Sequence, residues 1–206
     1  MTNFTEAQLE QVFIDLLKEQ GYHHHAGSSI LRNPDEVIIE EDLRHFLSAR
    51  YGSQGITQNE ISSIILSLKT LPQSDLFESN KQFMNMISDG FILKREDRSK
   101  KDLYIQLLDY SILDKQIEPH HDQLIKIDVN EDVLYGNDVN IYKFVNQLEI
   151  VGSEKRIPDG ILYINGIPLV VFEFKSAIRE EATIHDAYKQ LTVRYKRDIP
   201  ELFKYN

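Results

Sequence analysis

The chain contains no cysteine among its 206 residues. This absence excludes disulfide bonds and thiolate metal sites, and it fits a protein of the reducing cytoplasm. No apolar run approaches the roughly 20 residues that a membrane-spanning helix needs, so no membrane partner is expected. The opening MTNFTEAQLEQ lacks the basic and apolar regions of a secretory signal peptide. A phosphate-binding loop of the form G-x-x-x-x-G-K-[ST], typical of ATP-driven motors, is also missing.

Positive charge is scarce as well, and the formal net charge is −10. Proteins gain most of their DNA affinity by neutralising phosphates, so we expect this chain to bind DNA weakly unless partners or further chain contribute. A local basic strip or a bound metal ion can still act against an acidic background. The composition, 41% hydrophobic and 27% charged, is otherwise that of an ordinary globular protein. The length suits a single domain over 1–206.

Helical patterns occupy the first part of the chain and strand-like patterns most of the rest. Apolar residues recur at helical spacing over about 6–20, 41–51, 57–71 and 80–88. Strand-like runs follow from residue 91, and they read FILKR, DLYIQLLDY, QLIKIDV, IYKFVNQLEIVG, GILYI and PLVVFEFK. A last helix is expected over about 184–197. This order predicts an α/β fold in which a helical portion (about 1–90) precedes a central mixed sheet flanked by helices (about 91–206).

The stretch IPDGILYINGIPLVVFEFKS carries the strongest chemical signal. Asp159 stands before one apolar run, and Glu173 and Lys175 stand at the end of the next. The dipeptide Asn165-Gly166 between the runs predicts a β-hairpin, which would bring Asp159 beside the second strand. Side chains alternate along a strand, so Glu173 and Lys175 should point into the same space.

Such an arrangement is typical of a metal-dependent phosphodiesterase site. Asp159, Glu173 and the backbone carbonyl of Phe174 offer the oxygen ligands that a hard divalent cation prefers. Lys175 could orient water or stabilise charge on a phosphate. The alternative is a Pro-Asp turn followed by an ordinary exposed strand. However, PLVVFEFK is almost continuously apolar, which predicts an interior strand covered on both faces, and charges at its end are costly unless they are paired or bound.

The run RIPDGILYINGIPLVVFEFKSA, followed by AYKQLTVRYKRDIPELFKYN, resembles the N-terminal nuclease domain of the R subunit of type I restriction enzymes. That family has the restriction-endonuclease-like fold of PD-(D/E)xK nucleases. The opening TEAQLEQVFIDLLKEQGY resembles its first helix, whereas about 23–145 carries no motif that aligns.

The resemblance implies an endonuclease that uses Mg²⁺ to cut double-stranded DNA. Methyltransferase and specificity subunits would be its partners, and an ATP-driven translocase in the same polypeptide would act before cleavage. Since no motor motif occurs here, we expect the chain to be an N-terminal fragment of a longer motor subunit, with ATP used only by the remainder.

The resemblance also implies roles for single residues. Asp159 and Glu173 match the metal-binding acids, and Lys175 matches the catalytic lysine. Gln190 and Tyr195 match a helix motif linked to nuclease function, although the two are five residues apart here and usually four apart in the family. In a regular α-helix this spacing would turn Tyr195 away from the face of Gln190.

Several further residues have two possible interpretations. Glu10 lies where related nucleases often place another metal-binding acid, but it could equally be a solvated helix glutamate. A basic group could bind DNA phosphates or form an ordinary solvated face, and its members are Lys189, Arg194, Lys196 and Arg197. His23, His24 and His25 are consecutive, so they cannot all face one ion from regular structure, and a turn after Gly21 is expected.

Two rival functions share the predicted fold. One is a repair or junction-cleaving nuclease, which would have no motor sequence in its gene. The other is a non-catalytic domain that docks partners, and the intact set of Asp159, Glu173 and Lys175 argues against it.

Overall fold

The computed structural model describes residues 5–111, 139–175 and 184–206. The helices of these parts are α1 (Glu6–Glu19), α2 (Glu40–Tyr51), α3 (Gln58–Lys69), α4 (Leu76–Asp89), α5 (Ile184–Lys189) and α6 (Lys196–Asp198). A π-helical segment, Gln190–Tyr195, joins α5 to α6, and a 3-10 helix covers Pro200–Lys204. The strands are β1 (His23–Ala26), β2 (Phe91–Leu93), β3 (Leu103–Ile105), β4 (Tyr142–Asn146), β5 (Ile150–Val151), β6 (Lys155–Arg156), β7 (Gly160–Ile164) and β8 (Ile167–Phe172). The predicted strand QLIKIDV lies outside the described residues.

The starts of the helices follow from capping side chains. α1 begins with a capping box in which the Thr5 hydroxyl accepts the Gln8 N–H and the Gln8 side chain accepts the Thr5 N–H. A second capping box starts α3 in the same way. α4 begins at Leu76 and not at about residue 80, because the Asp75 carboxylate accepts the Glu78 N–H at 3.1 Å.

The central sheet has the strand order β1-β4-β7-β8 in the described residues. β1 runs parallel to β4, and the other two pairings are antiparallel, so the predicted mixed sheet is confirmed. Asn165 and Gly166 connect β7 to β8 with φ angles of 53° and 76°, as a two-residue hairpin turn of the I′ type requires.

The expectations for two strands have different outcomes. Among the described strands β8 pairs only with β7, and Val170 is 41% exposed, so the interior position expected for this strand stays a prediction. Pro168 is tolerated as the second residue of β8, beside the irregular register between Leu162 and Tyr163. The three histidines do not form a turn; they lie in β1 because that strand pairs with the distant β4.

The sheet packs on both faces, because side chains alternate along its strands. On one face Val145, Ile161 and Tyr163 join the main hydrophobic core. Helices α2, α3 and α4 supply much of that core, through Leu43, Phe46, Leu47, Ile61, Ile64, Ile65, Leu68, Phe83 and Ile87. No helix of the described residues has both the length and the apolar character needed to cross a membrane.

The other face carries an aromatic cluster that fixes α1. Phe13 of α1 lies with its ring centroid 5.6 Å from that of Phe144, 4.7 Å from Phe172 and 5.4 Å from Phe174. A Cβ atom at Gly160 would lie 2.3 Å from Cζ of Phe144, so only glycine fits below this ring. The cluster therefore holds α1 against the sheet end where β7 begins and β8 finishes.

Candidate active site

The open end of the β7–β8 hairpin, opposite its turn, brings the predicted acids together. Gly160, the first residue of β7, pairs with Phe172, the last residue of β8. Asp159 and Glu173 therefore lie next to this pair, one on each strand. Asp159 Oδ2 accepts the Phe174 N–H at 2.6 Å. The hairpin therefore places Asp159 against the segment that carries Glu173, as the sequence predicted.

Glu173 is the most enclosed member of the site. Its side chain is 3% exposed, and Lys175 Nζ lies 2.7 Å from Glu173 Oε1. The hydroxyl of Tyr195 donates to Glu173 Oε2 at 3.0 Å. A charge-assisted partner on each oxygen offsets the cost of burying this carboxylate. Lys175, at 17% exposed, keeps a route to solvent.

Gln190 and Tyr195 contact each other, which corrects the expectation drawn from a regular α-helix. Gln190 Nε2 donates to the Tyr195 hydroxyl at 2.8 Å. The segment between them is π-helical, and a π-helix bonds residues i and i+5. The extra residue is thus absorbed by a wider turn, and Tyr195 stays on the face of Gln190 that meets Glu173.

The electrostatics of the site are dominated by negative charge. Burial raises the pKa of Asp159; the Phe174 N–H lowers it, and the carboxylates of Glu173 and Glu10 raise it further. Asp159 forms no ion pair within the described residues. Burial also raises the pKa of Tyr195, and the Glu173 carboxylate adds to the effect. Its phenol therefore stays protonated at neutral pH and serves as a donor.

Glu10 of α1 lies at the same end of the sheet, held by two amides that no sequence motif had singled out. Asn146 Nδ2 donates to Glu10 Oε1 at 2.7 Å, and Gln147 Nε2 donates to Glu10 Oε2 at 3.0 Å. Asn146 pairs with Gly160 across the sheet, which brings Glu10 near Asp159.

The predicted basic residues divide into two kinds. Lys189, Arg194 and Lys196 are exposed and form no ion pair within the described residues. Arg197 instead lies 2.6 Å, Nε to Oδ1, from the buried Asp198. Asp198 also accepts a hydrogen bond from Arg156 Nε at 2.7 Å, so this pair of arginines retains one uncompensated positive charge.

The oxygen groups suit a hard divalent cation, although the described residues contain no cluster of three or more His, Asp or Glu side chains that could hold a metal ion. The donors available are the carboxylates of Asp159 and Glu173 and the carbonyl of Phe174, all of them hard oxygens. Asp159 is half-buried beside two further carboxylates, and a cation would relieve their repulsion. The His23–His25 run forms no metal cluster with described residues.

Comparison with known proteins places the chain in one family. Residues 3–206 match the family described as type I restriction enzyme R protein N terminus. The chain is 28% identical to the type I restriction enzyme HindI endonuclease subunit of Haemophilus influenzae, over 98% of this chain and 18% of that relative. It is 25% identical to the putative type I restriction enzyme MjaIXP endonuclease subunit of Methanocaldococcus jannaschii, over 96% of this chain and 17% of that relative.

A shorter match of higher identity reaches the putative type I restriction enzyme MjaVIIIP endonuclease subunit of the same archaeon, with 39% identity over 66 residues, or 32% of this chain and 6% of the relative. The chain thus spans less than a fifth of the length of these relatives. Because the family match covers almost every residue, the chain belongs to the family of type I restriction enzyme R protein N termini.

Proposed function

We propose that this chain is the nuclease region of a type I restriction enzyme R subunit, acting in the cytoplasm on phosphodiester bonds of double-stranded DNA with Mg²⁺ as its cofactor. The observation that carries the proposal is the convergence of Asp159, Glu173 and Lys175 at the open end of one hairpin. Membership of the family favours restriction over a repair or junction-cleaving role.

Asp159, Glu173 and the Phe174 carbonyl would hold the cation. When bound, Mg²⁺ would supply positive charge to the scissile phosphate and lower the pKa of a coordinated water. Asp159 suits this role because one oxygen is anchored by the Phe174 N–H while the carboxylate keeps its partial exposure.

Lys175 is the residue we assign to the reacting phosphate. Its ammonium carries three N–H donors, and Glu173 Oε1 is its ion-pair partner at 2.7 Å. The remaining donors can bond to the attacking water or to a phosphate oxygen, where negative charge grows during the reaction. Glu173 limits the movement of Lys175 and so keeps the ammonium at the hairpin end.

Tyr195 and Gln190 fix the orientation of Glu173. The phenol of Tyr195 donates to Glu173 Oε2, and the amide of Gln190 donates to the phenol oxygen. The Tyr195 hydroxyl also lies 3.4 Å from the Ile157 carbonyl oxygen, a longer contact than the 3.0 Å to Glu173. We therefore assign Gln190 and Tyr195 as positioning residues for the carboxylate.

DNA would be held chiefly by phosphate contacts from Lys189, Arg194 and Lys196, with Arg197 contributing less because of its pairing with Asp198. A chain of net charge −10 needs further sources of DNA affinity. In the proposed complex, methyltransferase and specificity subunits find the recognition site. ATP-driven translocation would belong to the rest of the complete R subunit.

The central experiment uses Lys175→Ala in the complete R subunit, assembled with its partners. DNA cleavage should fall below detection while ATP hydrolysis continues at the unaltered rate. Lys81→Ala, which removes a 60% exposed lysine on α4, should leave both activities unchanged. Loss of ATP hydrolysis in the Lys175 variant would show a structural lysine and contradict the assignment.

The cofactor is tested separately by isothermal titration of Mg²⁺ or Mn²⁺ into the unaltered protein and into Asp159→Ala. Heat of binding should be present in the first and missing in the second. Equal binding by both proteins would remove Asp159 from the proposed metal site.

A further inference from the structure

We infer that Asn146 and Gln147 are positioning residues that clamp the Glu10 carboxylate beside Asp159, and that His24 fixes the orientation of Asn146. The inference rests on the proposed nuclease function, because it gives Glu10 a place in the same site. It gives a structural role to Asn146 and Gln147, which follow one another at the end of β4, and to His24 of the three consecutive histidines.

The clamp uses both oxygens of Glu10. Oε1 accepts from Asn146 Nδ2 at 2.7 Å, and Oε2 accepts from Gln147 Nε2 at 3.0 Å. Both donors are neutral, and Glu10 forms no ion pair with any described residue. The two amides therefore hold the carboxylate in place without cancelling its charge.

His24 sets the direction in which the Asn146 amide points. His24 Nε2 lies 2.9 Å from Asn146 Oδ1. An amide oxygen only accepts, so the imidazole must carry its proton on Nε2 for this bond. With Oδ1 bonded to His24, the NH₂ group of Asn146 is turned towards Glu10. Parallel pairing of β1 with β4 brings the histidine to this position.

Gln147 adopts a costly backbone conformation at this point. Its φ angle is 51°, a left-handed value that glycine adopts freely and that other residues adopt only with backbone strain. The backbone N–H of Gln147 bonds to the carbonyl of Asp159 at 3.3 Å. The strained residue is thus tied directly to the proposed metal ligand, and its side chain is the one that reaches Glu10.

Glu10 then acts on the site through its charge. The aromatic contacts of Phe13, one helical turn further along α1, keep Glu10 at this end of the sheet. Together Glu10, Asp159 and Glu173 supply three carboxylates against the single ammonium of Lys175. The clamp maintains this surplus of negative charge, which increases the affinity of the site for a divalent cation.

The test compares Gln147→Gly and Gln147→Asn with the unaltered 206-residue chain. Glycine relieves the strain but removes the amide, and asparagine tolerates the conformation but has a shorter side chain. Both variants should melt within a few degrees of the unaltered protein or above it, while Mg²⁺ affinity measured by calorimetry falls roughly five- to tenfold. Unchanged Mg²⁺ affinity in both variants would overturn the inference. Full Mg²⁺ affinity in the asparagine variant together with reduced affinity in the glycine variant would also overturn the inference. The backbone conformation of residue 147, and not the contact of its amide with Glu10, would then set the affinity.

A second measurement needs neither metal nor DNA. Glu10→Gln should shift the side-chain amide NMR resonances of both Asn146 and Gln147, since it replaces the charged acceptor of each. Unshifted resonances would refute the clamp even if the protein binds Mg²⁺. Shifted resonances in a protein that binds no Mg²⁺ would support the clamp and refute the proposed function instead.

Asn165→Gly serves as the matched control, because Asn165 is the other described non-glycine residue with positive φ. Its buried side chain bonds to Ile141 N, Leu107 O and Asn140 Oδ1 at the far end of the hairpin. This variant should melt lower than the unaltered protein and keep the same Mg²⁺ affinity when folded. A fall in affinity equal to that of Gln147→Gly would overturn the clamp, because any loosening of the hairpin would then suffice.

Discussion

Replacing Tyr195 by phenylalanine isolates the hydroxyl that links the π-helical segment to Glu173. The ring is 4% exposed, and phenylalanine keeps its packing. What is lost is the donor to Glu173 Oε2 at 3.0 Å and the acceptor for Gln190 Nε2 at 2.8 Å. A hydrogen bond to a charged group contributes about 1.5–3 kcal/mol to stability. Gln190 is only half-buried, so water can replace its lost acceptor.

We therefore expect Tyr195→Phe to lower the free energy of unfolding by about 2 kcal/mol. For a chain of this size, that loss corresponds to a fall in Tm of about 4–8 °C. Thermal unfolding followed by circular dichroism measures it directly. Cleavage in the assembled complex should slow as well, because Glu173 loses one of the two groups that orient it.

Tyr188→Phe is the matched control, since Tyr188 lies on α5 two residues before the π-helical segment and is 63% exposed. Removing its hydroxyl should change stability by less than about 0.5 kcal/mol. If both variants behave alike, or if Tyr195→Phe loses less than about 0.5 kcal/mol, the hydroxyl does not hold Glu173 and the role given to the π-helical turn is wrong.

Three further predictions concern charge and packing. Asp159→Asn should raise Tm in the absence of divalent cations and abolish the rise in Tm caused by Mg²⁺, because it removes one of three neighbouring negative charges. An equal Mg²⁺ effect in both proteins would contradict this. Since the folded-state pKa of Asp159 is raised, its ionised form opposes folding. The unaltered protein should therefore lose stability relative to Asp159→Asn as the pH rises above 3.8 and through the raised value. Arg95→Met should lower the free energy of unfolding, measured with urea, by about 3–5 kcal/mol. The variant leaves the Glu60 side chain, which is 2% exposed, without its ion-pair partner. The double variant Glu60→Gln/Arg95→Met should recover part of the loss, because glutamine removes the buried charge and keeps an acceptor for the Thr57 and Glu96 N–H groups. No recovery would show that the arginine stem, not the charge, matters. Gly160→Ala should cost about 1–3 kcal/mol by the same assay, because its Cβ meets the ring of Phe144, and a neutral result would show that the ring moves freely.

The buried Glu60–Arg95 pair also makes the protein less stable at low pH. Burial raises the pKa of Glu60, but hydrogen bonds from Arg95, Thr57 and Glu96 outweigh it and hold the value at about 2. The folded-state pKa is thus below the ordinary 4.5. The stabilisation is complete above the ordinary value and is lost as the pH falls from there towards 2. Glu60→Gln should lack this part of the acid sensitivity.

Local rules explain the parts of the fold that the sequence predicted. The capping box at Thr5 depends on side chains three residues apart, and the turn at Asn165-Gly166 depends on two adjacent residues that accept positive φ. The convergence of Asp159 with Glu173 then follows, because a short hairpin has little choice of register. These features can be predicted without knowing which distant segments of the chain pack against them.

The features that escaped prediction depend on long-range pairing. His24 lies in a strand only because that strand pairs with β4, and its bond to Asn146 joins residues 122 positions apart. Neither Asn146 nor Gln147 belongs to a periodic pattern, so no local signal marks them.

The π-helical segment shows how one added residue changes the geometry without separating the functional groups. In an α-helix, five residues advance the chain about 140° beyond a full turn, which would point Tyr195 away from Gln190. A single wide turn absorbs the excess, and both side chains reach Glu173 through one line of hydrogen bonds. Wide turns cost regular helical bonding and occur frequently at functional sites. The contact with Glu173 therefore accounts for a distortion that the rest of the helix does not require.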